Sequence, residues 1–456
     1  MLKKTIYFSI GAFTILGLLV ASSFAPVANA VVPGVNKLVS VNNSGDGQGG
    51  NASSPATGSS RTAAHVSANG RYVAFISDAS NLVVGDTNGY SDVFVRDLVS
   101  NTTERVSVSS AGVEGNNRIG STDKQNIAIS STGRYVAFSS LATNLIDGQV
   151  SPIARVYLRD RLTNTTTMVS QLANGTIGSG TTDEVSAVSS DGRFVTYIGR
   201  GDTTLVPSQQ VGLSSMFVFV ADMSDRSFRI LNPTSINNQF FANAASASCD
   251  GSIIAFATVM SLDSSDTDTK DDVYLVDLRN GYKLTGITTS SNNTSYSLVP
   301  SVSCNGDYVT FTSNDTAFTS LSTGGLNHTY LYDRINGGIS LVDTSAAAVI
   351  GNKASGQMAA VDDNGNVAFS SSSTNLKGGT ATMYSQVYLK HRDTGAIDLI
   401  TKPASGVYSN GSGGDISISF DGKAVVYLAS SYMYPTDLIT SDTNGYSDVF
   451  YSLTGL

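Results

Sequence analysis

Histidine, cysteine and positive charge are what this sequence has least of. The three histidines in 456 residues, His65, His328 and His391, stand too far apart to share one local unit, so a three-histidine metal centre is not expected. The only cysteines, Cys249 and Cys304, have no histidine with a positional reason to lie beside them, which argues against a cysteine nucleophile. Lys and Arg number 27 against 36 Asp and Glu, a formal net charge of −9. Such a surface repels phosphate backbones and anionic lipid, so nucleic acid is not an expected partner. Beyond residue 30 there is neither an apolar run of membrane length nor a helical period.

What is present begins with a distinct N-terminal unit. Lys3 and Lys4 precede an apolar run from Ile6 to Val20, and Ala28-Asn29-Ala30 closes it with small residues. That order reads as an export signal over 1–30 with cleavage after Ala30, an uncleaved anchor being the alternative. The expected location is the bacterial periplasm, the cell envelope or the medium. For the remainder, 31–456, the whole-chain apolar content of 41% with 20 Tyr and 18 Phe argues against disorder, while abundant Gly, Ser, Thr and Asn suit short strands joined by turns.

One unit recurs seven times. A turn glycine followed by a β-branched and aromatic run appears at Gly70 (N-G-R-Y-V-A-F), Gly133, Gly192, Gly251, Gly306, Gly365 and Gly422, at intervals of 55 to 63 residues. A second run follows each, as D-V-F-V-R-D ending at Asp97 or V-Y-L-V-D ending at Asp277. Each unit reads as four antiparallel strands, a to d, which cannot bury both faces alone. Stacking seven of them radially does so and leaves only short edges. The expected fold is therefore all-β, a seven-bladed propeller forming a single domain. The last copy stops after strand c, and Lys37-Leu38-Val39-Ser40-Val41 matches the strand-d pattern Arg105-Val106-Ser107-Val108. A strand within 36–42 is thus expected to complete blade seven and close the ring, with a monomer as the default state. Short a–b and c–d turns define a trim face, and the long b–c and d–a connections gather on the opposite one.

The D/N-G-x-Y-V-A-F core together with the D-V-F-V-R-D strand resembles the WD40-like repeat of TolB-type periplasmic propellers, over essentially residues 36–451. The resemblance implies a propeller. For function it implies several uses, since the repeat serves translocation-associated binding proteins, peptidases with an added hydrolase domain, and polysaccharide lyases.

Several clusters carry potential chemistry. D-T-N-G-Y-S-D occurs at Asp86–Asp92 and verbatim at Asp442–Asp448, with a cousin at Asp266–Asp272. Oxygen donors at the first, third and seventh positions suit a hard cation, calcium above all. The candidate ligands are Asp86, Asn88 and Asp92; Asp442, Asn444 and Asp448; and Asp266, Asp268 and Asp272, with blade four ranked last because Lys270 brings a competing charge. The alternative is that these side chains only cap turns. The recurrent Asp at the end of strand c reads as a turn acceptor. Cys249 and Cys304 occupy equivalent places in adjacent blades, which allows a disulfide or two semi-buried thiols. Tyr90, Tyr432, Tyr434 and Tyr446 are candidates for a recognition surface on the long-loop face.

This inventory points to an exported, non-catalytic binding protein that recognises a protein or an envelope glycan, with calcium as a structural ion. The alternative is a polysaccharide lyase, hydrolase or peptidase-like enzyme with its site in the central funnel, because paired channel carboxylates leave no linear signature.

Overall fold

In a computed structural model the described residues are 35–456 without 44–48, 55–63, 121–125, 149–150, 201, 203, 206–214, 232–241, 290–294, 378–383, 403–412 and 430–445. The expected signal segment lies outside them. They form 28 strands in seven four-stranded antiparallel sheets, the blades of a propeller. Blade one has β2 (Ala64–Val66), β3 (Tyr72–Ser77), β4 (Asp92–Asp97) and β5 (Thr102–Arg105) in sequence order. Blade four repeats this with β14 (Ala242–Ala247), β15 (Ile253–Thr258), β16 (Asp272–Asp277) and β17 (Lys283–Gly286).

Blade seven is built from both ends of the chain. Its outer strand β1 (Asn36–Leu38) pairs with β28 (Asp448–Leu453), β28 with β27 (Ala424–Ala429), and β27 with the innermost strand β26 (Gly413–Ile418). Leu38 lies opposite Phe450, Val39 N–H donates to the Val449 carbonyl at 2.8 Å, and the Ser40 hydroxyl donates to Asp448. The N-terminal strand therefore closes the ring as expected.

Strands b and c lie in the middle of each blade and are buried on both faces, because a neighbouring blade covers each side. In β4 every residue is buried. Inside this core, b and c present one aromatic each at the same register in all seven blades. Phe75 stacks on Phe94, Phe138 on Tyr157, Tyr197 on Phe219, Phe256 on Tyr274, Phe311 on Tyr330, Phe369 on Tyr388 and Tyr427 on Phe450, with ring centroids 5.1 to 6.1 Å apart. Directly opposed aromatic pairs of this kind contribute about 0.5–1.5 kcal/mol each beyond their buried area. The recurring aromatics of the two sequence runs are these rings.

The trim face is held by ion pairs. Arg71 grips Asp97 through Nε at 3.0 Å and Nη2 at 2.7 Å, and Arg134–Asp160 and Arg193–Asp222 repeat the arrangement. The same aspartates accept from the backbone of the c–d turn, as Asp97 does from Val99 N–H at 2.9 Å and Asp222 from Ser224 N–H at 3.0 Å, and Asp277 of blade four accepts likewise from Arg279 N–H at 2.9 Å. These residues are structural, in agreement with their reading as turn acceptors.

Candidate functional site

Blades one and four carry the acidic b–c loops in comparable form, and the register between strands c and d shows how they differ. In blade four, oxygens of Asp266, Asp268 and Asp272 all lie within 4.8 Å of one another, and each residue is at most 5% exposed. Asp272 is the first residue of β16. Its Oδ1 accepts from the Thr288 hydroxyl at 2.8 Å, and its Oδ2 is buried with no hydrogen-bond partner among the described residues. The Tyr274 hydroxyl donates to Asp266 Oδ2. Burial pushes the Asp272 carboxyl up to about 7; the Thr288 bond opposes this, while the nearby charges of Asp266, Asp268 and Asp271 add to it.

In blade one a side chain occupies the equivalent place. Arg105 Nη1 lies 3.1 Å from Asp86, 3.4 Å from Asp92 and 2.8 Å from Glu114. Asn88 donates to Asp92 Oδ2 at 2.8 Å and accepts from Tyr90 N–H at 2.8 Å, so it caps the loop as the turn reading required. Burial and the repulsion of Asp92 push Asp86 up to about 6, against the pull of Arg105. The sequence ranking, which put a cation at blade one before blade four, meets an internal cation in blade one. Arg105 was missed because its proximity follows from cross-strand register, which the loop motif does not contain. In blade seven Asp442 and Asn444 lie outside the described residues; Asp448 is fully buried, and Leu38 holds the register place of Arg105.

The second feature is the channel on the propeller axis, formed by the innermost strands. It holds a cavity of about 190 Å³ whose lining includes His65 of β2, Glu184 of β10 (Thr181–Val188), Ser131, Ser186 and Ser417. Most other lining residues are small or apolar. Glu184 is 3% exposed, and its Oε1 lies 3.5 Å from Ala245 N. His65 Nε2 is shielded from solvent and has no partner among the described residues. Burial holds its pKa down to about 4, so the imidazole is neutral at ordinary pH.

The other histidines serve elsewhere, in separate blades. His328 Nδ1 contacts Asp343 at 2.7 Å with both side chains fully buried, and His391 Nε2 contacts Asp398 at 2.8 Å. Cys249 and Cys304 are joined by a disulfide with a Cα–Cα distance of 4.6 Å, and both border the channel. Tyr90 and Tyr446 are exposed. Tyr432 and Tyr434 lie outside the described residues.

No protein-family model matches the chain, and no curated protein matches it. Solved structures do. An oligogalacturonate lyase in complex with manganese is 11% identical and aligns over 87% of this chain and 89% of its own, with a TM-score of 0.50. The oligogalacturonate lyase of Vibrio parahaemolyticus is 10% identical over 88% of this chain and 90% of its own, again at 0.50. A prolyl endopeptidase is 11% identical over 89% of this chain and 50% of its own, also at 0.50. TolB from Acinetobacter baumannii is 12% identical over 72% of this chain, which spans 65% of that one, with a TM-score of 0.40. At these identities the likeness to the lyases and the endopeptidase is one of fold alone, and the resemblance to TolB-type repeats rests on the sequence motifs quoted above.

The expectation of a non-catalytic protein is corrected. It rested on a single-domain propeller with few histidines. Lyases share this fold over nearly their whole length, so the architecture does not speak against catalysis. In addition, folding gathers a buried triad of carboxylates that could hold a metal ion. No helix among the described residues is long and apolar enough to cross a membrane.

Proposed function

We propose that this protein is an exported enzyme that cleaves glycosidic bonds of a glycan entering the central channel, with Glu184 and His65 as its acid–base pair. The observation that carries this reading is the presence of a carboxyl group and a neutral imidazole in the lining of one axial cavity. Hydrolysing a glycosidic bond needs an acid that protonates the departing oxygen and a base that takes a proton from the water attacking the anomeric carbon on the opposite face. Above about pH 4 His65 is a neutral imidazole with one unprotonated ring nitrogen to act as base, which leaves the Glu184 carboxyl the role of acid.

That two of the lyases sharing the fold act, by name, on oligogalacturonate supports a glycan as the substrate class. Among the described residues lining the channel there is no Lys or Arg, and the chain's net charge is −9. Elimination from a uronic acid requires its carboxylate to be neutralised, so these charges favour hydrolysis of an uncharged glycan. Exposed Tyr90 and Tyr446 offer ring faces for sugars at the long-loop side. The basic tip, apolar run and small-residue end within residues 1–30 support export.

The test is incubation of the purified protein with neutral and uronate-containing glycans, following new reducing ends and the ultraviolet absorbance of unsaturated products. The expected result is reducing ends from a neutral glycan without an unsaturated product. Glu184→Gln should lower kcat on the order of 10²-fold or more while leaving the melting temperature within a few degrees. Turnover of no glycan, or full activity in Glu184→Gln, overturns the proposal.

A further inference from the structure

We propose that Asp266, Asp268 and Asp272 of blade four bind one calcium ion, and that this ion does in blade four what the Arg105 guanidinium does in blade one. The two loops face the same electrostatic problem. Each buries acidic side chains of its b–c loop and of the start of strand c, where unpaired negative charges are costly. In blade one Arg105 stands opposite Phe94 and reaches three carboxylates. In blade four the residue at that register place, opposite Tyr274, is Gly286, which has no side chain to offer.

The acidic positions change in the opposite sense. The middle donor is neutral Asn88 in blade one and the carboxylate Asp268 in blade four. One loop has thus gained a negative charge where the adjoining strand has lost its positive one. A second, independent observation points to a ligand: Asp272 is 4% exposed, and its Oδ2 lacks a hydrogen-bond partner among the described residues although its carboxylate belongs to the converged triad. A buried carboxylate oxygen of this kind is ordinarily satisfied by a donor or an ion.

The donors are oxygens from positions one, three and seven of a loop, which suits a hard cation with adaptable coordination. Calcium tolerates the irregular geometry of such a loop, whereas magnesium demands near-octahedral ligands at roughly 2.0–2.1 Å. Because the triad is buried and spans the loop and the first residue of β16, the ion fastens the b–c loop to the start of strand c. This inference is independent of the channel reading.

The test is calorimetric titration of the chelator-treated full chain with calcium chloride alone, comparing the number of ions bound per chain. Asp272→Asn is expected to take up one ion fewer than the wild type, with Asp268→Asn as a second variant should the first fail to fold. Magnesium should bind at least tenfold more weakly at the same site. The double variant Gly286→Arg/Thr289→Ser, in which the second change removes a methyl group that a side chain at 286 would meet, should also bind one ion fewer. It should match the melting temperature of the calcium-loaded wild type without added calcium. Equal stoichiometry in the wild type and both aspartate variants, or no calcium uptake by the wild type at millimolar concentration, overturns the proposal.

Discussion

At the scale of single residues, the repeat glycines do two jobs, and Gly133 shows both. Its φ of +74° lies in the left-handed region, and a methyl group at its α-carbon would overlap the ring of Tyr72 in the preceding blade. Gly133→Ala is therefore expected to lose roughly 2–4 kcal/mol, the sum of left-handed backbone strain and overpacking, measured by denaturant unfolding. His65 makes a prediction about pH. Its folded pKa of about 4 lies below the ordinary value of 6.5, so the unfolded chain binds the proton more readily. Stability is fully present above about 6.5 and is lost as pH falls through about 4. Melting curves across that window should fall less steeply for His65→Gln than for the wild type. The glycines were legible from the sequence because they recur. The neutrality of His65 was not, since it depends on what covers the ring.

At the scale of elements, the disulfide ties the ends of the inner strands of blades four and five. It closes a loop with a sequence separation of 55, for which chain entropy gives about 4 kcal/mol as an upper figure, against typical measured values of 2–4 kcal/mol. Replacing both cysteines by serine should cost about that much in denaturant unfolding, and a cost below about 0.5 kcal/mol would show that strand pairing already holds these ends. The strands themselves were legible because period-two alternation and turn residues are local signals. Links between neighbouring blades were not. Asn51 exchanges hydrogen bonds with Ser80 and Asn81, Asn116 with Thr143 and Asn144, and Asn352 with Thr374 and Asn375. Each clasp joins residues more than twenty positions apart, and no single loop sequence announces it.

At the scale of the whole molecule, closure depends on a few residues. Removing 36–42 would expose the outer edge of β28, unpair Leu38 from Phe450 and leave Asp448 buried without the Ser40 hydroxyl. Because the ring has no covalent closure, the loss should spread to the contacts between blade seven and blade one. A fall in melting temperature of more than about 10 °C is expected, where a change under about 2 °C would mean that the ring does not need this strand. The repeat count, the propeller class and the N-terminal closing strand were determined by the sequence alone, because each follows from a periodic pattern of aromatic, β-branched and turn residues that any antiparallel four-stranded unit must satisfy. Only the tertiary structure decided which acidic loop has an internal cation, since Arg105 and Gly286 stand in for each other across strands and not along them. It also decided that His65 and Glu184, 119 residues apart, line one cavity. A radial ring brings every innermost strand to a common axis, and that convergence has no counterpart in the order of residues along the chain.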